Sequence, residues 1–114
     1  MAIPRPGRPV RGSQTGAPLM ALFDLLGRRW AMGIVWHLAD GPMTFRALQG
    51  ACVSRAGPIS PSILNTRLRD LTEAKLVERT LDGYALTESG RGLFALLQPL
   101  DPWSLAWARE LDGD

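Results

Sequence analysis

Apolar positions recur at helical spacing along most of this chain, with punctuation between the stretches. Pro18 opens the first, and Leu19, Leu22, Phe23, Leu25 and Leu26 make it apolar almost all round before Gly27 ends it. A helix of that kind in a small chain needs a partner besides its own core, which points to a dimer interface. The spacing predicts a second helix from Arg28 through Trp30, Met32, Ile34, Val35 and Leu38, closed by Asp40-Gly41-Pro42. Thr44 is placed to cap a third helix carrying Phe45 and Leu48. Residues 53–58, VSRAGP, read as a turn.

The next stretch, ISPSILNTRLRDLTEAKLVE from Ile59 to Glu78, is the most informative. Ser60 can cap a helix over about 61–74, and Pro61 suits the first position because its missing N–H would be unsatisfied there anyway. Leu64, Leu68 and Leu71 form the stripe to be buried. Ser62, Asn65, Thr66 and Arg69 lie opposite, with Ile63 and Arg67 at the border. That polar face suits base edges and phosphates in a DNA groove. Leu76–Thr80 and Tyr84–Leu86 then read as short strands, with Asp82-Gly83 as a type I′ hairpin signal. The order of elements is that of a winged helix-turn-helix, mainly α with a small β-hairpin wing.

Thr87 with Glu88 starts the helix after the wing, and Leu93, Leu96, Leu97 and Leu100 continue its apolar face. Gly90 and Gly92 inside it suggest either a close backbone approach or mere tolerance, since each costs roughly 1 kcal/mol relative to Ala. Pro99 and Pro102 must bend or break the helix, and Asp101-Pro102 looks like a fresh cap and first position. Trp103, Trp107 and Leu111 then share one side, as core or as a contact with a second subunit. Helical dimerisation elements are thus expected at both ends, with Leu19, Leu22, Phe23, Leu26, Leu97, Trp103, Trp107 and Leu111 as interface candidates.

The segments LLGRRW, LADGPMTFRAL, ISPSILNTRLRDLTEAKLVER and YALTESGRGL, in this order, resemble the HxlR-type transcriptional regulators, relatives of the MarR group. The likeness runs from about Ala17 to Trp107. It implies a dimeric, DNA-binding winged-helix repressor or activator of bacterial type. Two departures stand out. Many relatives carry a sensor cysteine in a Cys-Pro context before the first helix, and the matching position here is Ala17, before Pro18. The family wing is generally longer and often basic, whereas here the tip is nearly reduced to Leu81-Asp82-Gly83. An acidic tip is poorly suited to a minor groove, which leaves Arg79 at the wing's base as its candidate contact.

At 114 residues the chain is one small domain. Residues 1–16, rich in Pro, Gly and Arg, read as a disordered basic tail ahead of a 17–114 domain, either a plain linker or an arm touching phosphates. No apolar run is long enough to span a membrane, and no signal-peptide core is visible, so a cytoplasmic site is the default. The net charge of +2 says little, but its distribution is uneven. Residues 28–69 hold six arginines against Asp40, while residues 70–114 hold four basic and nine acidic side chains. A protein with one DNA-facing surface would show such asymmetry.

The chemistry of an enzyme is missing from the sequence. His37 is the sole histidine and reads as structural, no Gly-rich phosphate loop follows a strand, and Asp70 with Glu73 fits a solvated helix face. No metal site or cofactor is expected. Cys52, the one cysteine, has no adjacent basic residue to lower its pKa and reads as a small buried hydrophobe. The expected function is sequence-specific binding of an inverted repeat in double-stranded DNA by a homodimer. Ser62, Asn65, Thr66 and Arg69 would read bases, Thr44, Arg46, Arg55, Ser60 and Arg67 would hold phosphates, and Arg79 would reach from the wing. The alternatives are a winged-helix protein-interaction module and a regulator controlled by a small-molecule effector.

Overall fold

The computed structural model describes residues 3–113. Six helices are interrupted by two small antiparallel hairpins. The order is α1 (Pro18–Leu26), α2 (Ala31–His37, running into a 3-10 turn at Leu38–Asp40), α3 (Phe45–Ala51), β1 (Val53–Ser54), β2 (Gly57–Pro58), α4 (Pro61–Glu73), β3 (Val77–Thr80), β4 (Gly83–Leu86), α5 (Glu88–Leu97) and α6 (Leu100–Asp112). The core gathers Ile34, Val35 and Leu38 from α2 and its 3-10 turn, and Leu48 from α3. Leu64, Leu68 and Leu71 of α4 join them, closed by Val77 and Leu86 of the second hairpin. The three α4 leucines are buried as their spacing requires.

Polar caps fix where α3, α4 and α5 start. Thr44, Ser60 and Thr87 accept from the N–H groups of Ala47, Ile63 and Gly90, respectively. The 53–58 turn is a two-residue hairpin, pairing Val53 with Pro58 and Ser54 with Gly57. Gly90 owes its place to a close approach, because a Cβ there would strike the Leu76 carbonyl oxygen, whereas Gly92 has open space around it.

Several local features differ from the sequence reading. The second helix starts at Ala31, not Arg28, because Trp30 takes a left-handed backbone with φ 77°. Side-chain periodicity carries no trace of the sign of φ, so a helix was expected across it. The wing turn is not type I′. That turn needs positive φ at both central residues, and among the described residues other than glycine only Trp30 and Lys75 have it. Thr80 pairs with Gly83, so Leu81-Asp82 is the loop, and Gly83 at φ 119° takes up the twist. The first wing strand begins at Val77 rather than Leu76. The last helix begins at Leu100 with Pro99 as its cap, so Pro102 falls in the first turn, where no N–H is missed.

Residues 3–16 are an ordered arm and not the expected disordered tail. Ile3 is buried, and its N–H donates to Glu73 Oε2 at 3.3 Å. Arg5 pairs with Glu73 at 3.7 Å and Arg11 with Asp24 at 3.7 Å. The Gly7 N–H donates to the Gly16 carbonyl at 2.9 Å, and Val10 bridges Ser13. Glycines that weaken other structure make this arm foldable. Gly16 has φ 73°, and a Cβ there would collide with the Arg8 backbone.

Candidate nucleic-acid interface

Turning the leucine stripe of α4 inward turns Ser62, Asn65, Thr66 and Arg69 outward, and all four are exposed. Two of them are partly engaged. The Thr66 hydroxyl donates to the Ser62 carbonyl at 3.0 Å, and Ser62 Oγ lies 3.4 Å from Ser60 Oγ. Asn65 and Arg69 sit one turn apart on the same face and line a groove of about 410 Å³ between α4 and the wing. Arg79 and Tyr84 form its far wall. They are cross-strand partners, and the Arg79 guanidinium lies 5.5 Å from the centre of the Tyr84 ring. The tyrosine thereby holds a cation at the groove, which Glu73 also lines.

The groove continues around the wing. A second recess of about 460 Å³ is bounded by Thr44, Phe45, Arg79, Gly83 and Tyr84. Two backbone bonds fix the wing against the start of α3: the Met43 N–H donates to the Tyr84 carbonyl at 2.9 Å, and the Tyr84 N–H to the Met43 carbonyl at 2.8 Å. A side chain at position 83 would collide with the Met43 carbonyl, so this seam requires glycine. Thr44, Asn65, Arg69 and Arg79 thus border one connected surface. Arg46 and Arg55 are exposed on α3 and at the tip of the first hairpin.

One expected contact residue points elsewhere. Arg67 was placed among the phosphate ligands, but its Nε donates to the Arg29 carbonyl at 2.7 Å and its Nη1 to Asp70 Oδ2 at 3.3 Å. Asp70, one turn further along α4, draws it inward. Asp70 itself does not lie on a solvated face as the sequence suggested. It is buried, and accepts from Arg28 Nη1 at 3.1 Å as well. Tyr84 was the residue missed on the other wall. Placing the loop at Leu81-Asp82 would have paired it with Arg79 and revealed it.

A second surface lies at the helical ends. Trp103 and Trp107 are 61% and 50% exposed and stack with ring centres 5.8 Å apart. Leu111 on α6, and Leu19 and Phe23 on α1, are exposed too, and α6 buries no residue at all within the chain. Leu22 and Leu97 are half-buried. Leu26 is 6% exposed and belongs to the chain's own interior, so it drops out of the interface candidates. Leu96 on α5 and Leu100 and Leu105 on α6 are further exposed apolar residues, beyond those expected from the sequence.

Cys52 is buried in the core, and burial raises its thiol pKa. His37 is exposed at the end of α2 rather than packed among apolar neighbours. Among the described residues, no helix is long and apolar enough to cross a membrane.

Comparison with known proteins agrees with this geometry. The family model of the HxlR-like helix-turn-helix matches residues 25–112. The HTH-type transcriptional regulator YodB of Bacillus subtilis is 34% identical over 89 residues, spanning 72% of this chain and 76% of YodB. The quinone-bound structure of YodB superposes with a TM-score of 0.67, covering 76% of this chain and 94% of that one. A Thermoplasma volcanium chain assigned to the HxlR family is 31% identical with a TM-score of 0.63, covering 85% of this chain and 86% of that one. A regulator from Enterococcus faecalis assigned to the MarR family shares the fold at a TM-score of 0.66 and 20% identity, covering 94% of this chain and all of that one (100%). The chain therefore belongs to the HxlR-like helix-turn-helix family of transcriptional regulators.

Proposed function

We propose that this regulator binds double-stranded DNA as a homodimer, with α4 of each protomer in a major groove. The observation that carries the reading is the outward face of α4. Asn65 and Arg69 stand exposed opposite three buried leucines, and Arg79 lines the same groove. Asn can bond adenine bidentately and Arg can bond guanine. Thr44, Ser60 and Arg46 at the helix starts, with Arg55 on the hairpin, would hold phosphates and fix the register. The exposed faces of α1 and α6 would join the protomers, and two-fold symmetry calls for an inverted repeat with half-sites about 10 bp apart. A protein that binds DNA in this way would work in the cytoplasm of a bacterial cell. The test is selection of duplexes from genomic fragments, followed by affinity measurements at several salt concentrations. Binding that weakens steeply with salt, and selects an inverted repeat, supports the reading. Absence of duplex binding above background rejects it in favour of a protein-interaction module.

Effector control is a second reading, favoured by one observation. A cavity of about 290 Å³ lies between the arm, α1 and the end of α4, with Ala21, Leu22, Leu25 and Leu76 on its apolar side and Arg5, Glu73 and Lys75 around it. YodB has been solved with a quinone bound. Here Ala17 stands where the resemblance places a sensor thiol, and Cys52 is buried, so an effector would have to bind without forming a thiol adduct.

A further inference from the structure

Asp70 is the one buried charged side chain among the described residues, and it follows Arg69 directly on α4. Its Oδ2 takes Arg28 at 3.1 Å and Arg67 at 3.3 Å, with the two guanidinium side chains only 20% and 21% exposed. Arg67 adds a third tie, from its Nε to the Arg29 carbonyl at 2.7 Å. Two of the three bonds, Arg28 to Asp70 and Arg67 to the Arg29 carbonyl, connect α4 to the short link between α1 and α2, and the Arg67–Asp70 bond within α4 couples them. That link is a fixed object. Trp30 holds φ 77°, the Arg29 guanidinium lies 5.0 Å from the centre of the Trp30 ring, and Arg28 and Ala31 donate backbone bonds to Leu25 and Arg28.

Apolar contact is non-directional, so the leucine stripe holds α4 on the core but resists rotation about the helix axis only weakly. A rotation of about 20° moves a side-chain tip by roughly 2 Å, given a helix radius of about 5–6 Å. Recognition of a base edge tolerates less, about 0.5 Å and 10–20°. Directional bonds between two guanidinium groups, a carboxylate and a carbonyl supply the missing constraint.

We propose that Asp70 and Arg67 are positioning residues that lock the rotation of α4 onto the α1–α2 link, and that Arg67 acts through this lock and not by touching phosphate. The inference rests on reading the α4 face as the DNA-reading surface. Through α1 the lock would also tie the reading face to the element proposed to join the protomers.

The test uses Arg67→Lys, Arg67→Gln, Asp70→Asn and the double variant Arg67→Gln/Asp70→Asn. The probes are a duplex selected by the parent protein and a scrambled duplex, each at several salt concentrations. Each single variant should lower the selected-to-scrambled ratio roughly tenfold, the size of one lost base contact. The double variant should lose no more than the worse single one, because both disable the same lock. The slope of log affinity against log salt should stay at the parent's value. Arg67→Lys is diagnostic, since it keeps the charge and loses the fork. A phosphate ligand would tolerate that change, and Arg67→Gln would then reduce the slope by about 0.9. That pattern, or unchanged ratios in all single variants, overturns the inference.

Asp70→Asn removes a buried carboxylate bonded to both Arg28 and Arg67, so thermal unfolding is run alongside. If that variant does not fold, the two Arg67 variants decide. A readout without DNA keeps the inference separate from the proposed function. Spin labels on Met32→Cys and Thr66→Cys in a Cys52→Ala chain, diluted with unlabelled protein, report the distance from α2 to α4. The distribution should broaden or shift in Arg67→Lys. A distribution identical to the parent's overturns the lock whatever the protein does with DNA. If the parent binds no duplex, the proposed function fails and the distance measurement alone decides the lock.

Discussion

Arg67 and Arg69 are two residues apart on one helix and stand in opposite environments. At 100° per residue they diverge around the axis, so one reaches back to Asp70 and the Arg29 carbonyl while the other stays in solvent. The chemistry of an arginine is legible from sequence, but its partner is not, because Arg28 lies 42 positions from Asp70. Cys52 shows the opposite case. The lack of an adjacent basic residue already spoke for a small buried hydrophobe, and the structure places it in the core with its pKa raised by desolvation. Two outcomes follow. Iodoacetamide should modify Cys52 far more slowly in the folded protein than in urea, measured by mass spectrometry at one pH. Comparable rates would show the thiol to be accessible. Ionisation of this thiol should leave stability unchanged near neutrality and lower it above about pH 8.5. There the unfolded chain loses the thiol proton and the folded one retains it, so rising pH favours unfolding. A Cys52→Ala variant should lack that part of the alkaline decline in denaturant titrations.

Helices were legible where a cap and a leucine stripe coincide, as at Ser60-Pro61 with Leu64, Leu68 and Leu71. They were misread where the backbone alone decides. Nothing in the side-chain pattern announces a left-handed tryptophan at position 30. The wing was found, but a loop shifted by one residue hid the Arg79–Tyr84 pair, since a change of register changes every cross-strand partner. The arm was misread because its composition suggested disorder. Its order comes from a buried Ile3, two ion pairs and turns that only glycine adopts easily. Deleting residues 1–6 should therefore destabilise the fold by roughly 1–3 kcal/mol, mostly through lost apolar burial, because the Arg5–Glu73 pair is exposed and contributes little. Chemical denaturation of the truncated chain checks this. An unchanged midpoint would mean that the arm merely rests on the surface.

At the scale of the whole molecule, two surfaces stand out. One is polar, along the outward face of α4 and the base of the wing, where Asn65, Arg69 and Arg79 line one groove. The other is apolar, with Leu19 and Phe23 on α1 and Trp103, Trp107 and Leu111 on α6 exposed to water. Exposed tryptophans on a helix that buries nothing in its own chain are consistent with a covering partner. Sedimentation should find a dimer at micromolar concentration, and Trp103→Ala with Trp107→Ala should shift it toward monomer. A monomer, also when bound to duplex DNA, would contradict the proposed assembly. The central claim is that the outward face of α4 reads sequence. The most direct measurement compares the affinity of the parent, Asn65→Ala and Arg69→Ala for a selected and a scrambled duplex across a range of salt. Both variants should fold as the parent does and lose roughly 1–3 kcal/mol of discrimination. Asn65→Ala should leave non-specific binding nearly untouched, because an uncharged side chain releases few counterions. If both variants keep the parent's ratio of selected to scrambled affinity, the face of α4 assigned to the major groove is the wrong one.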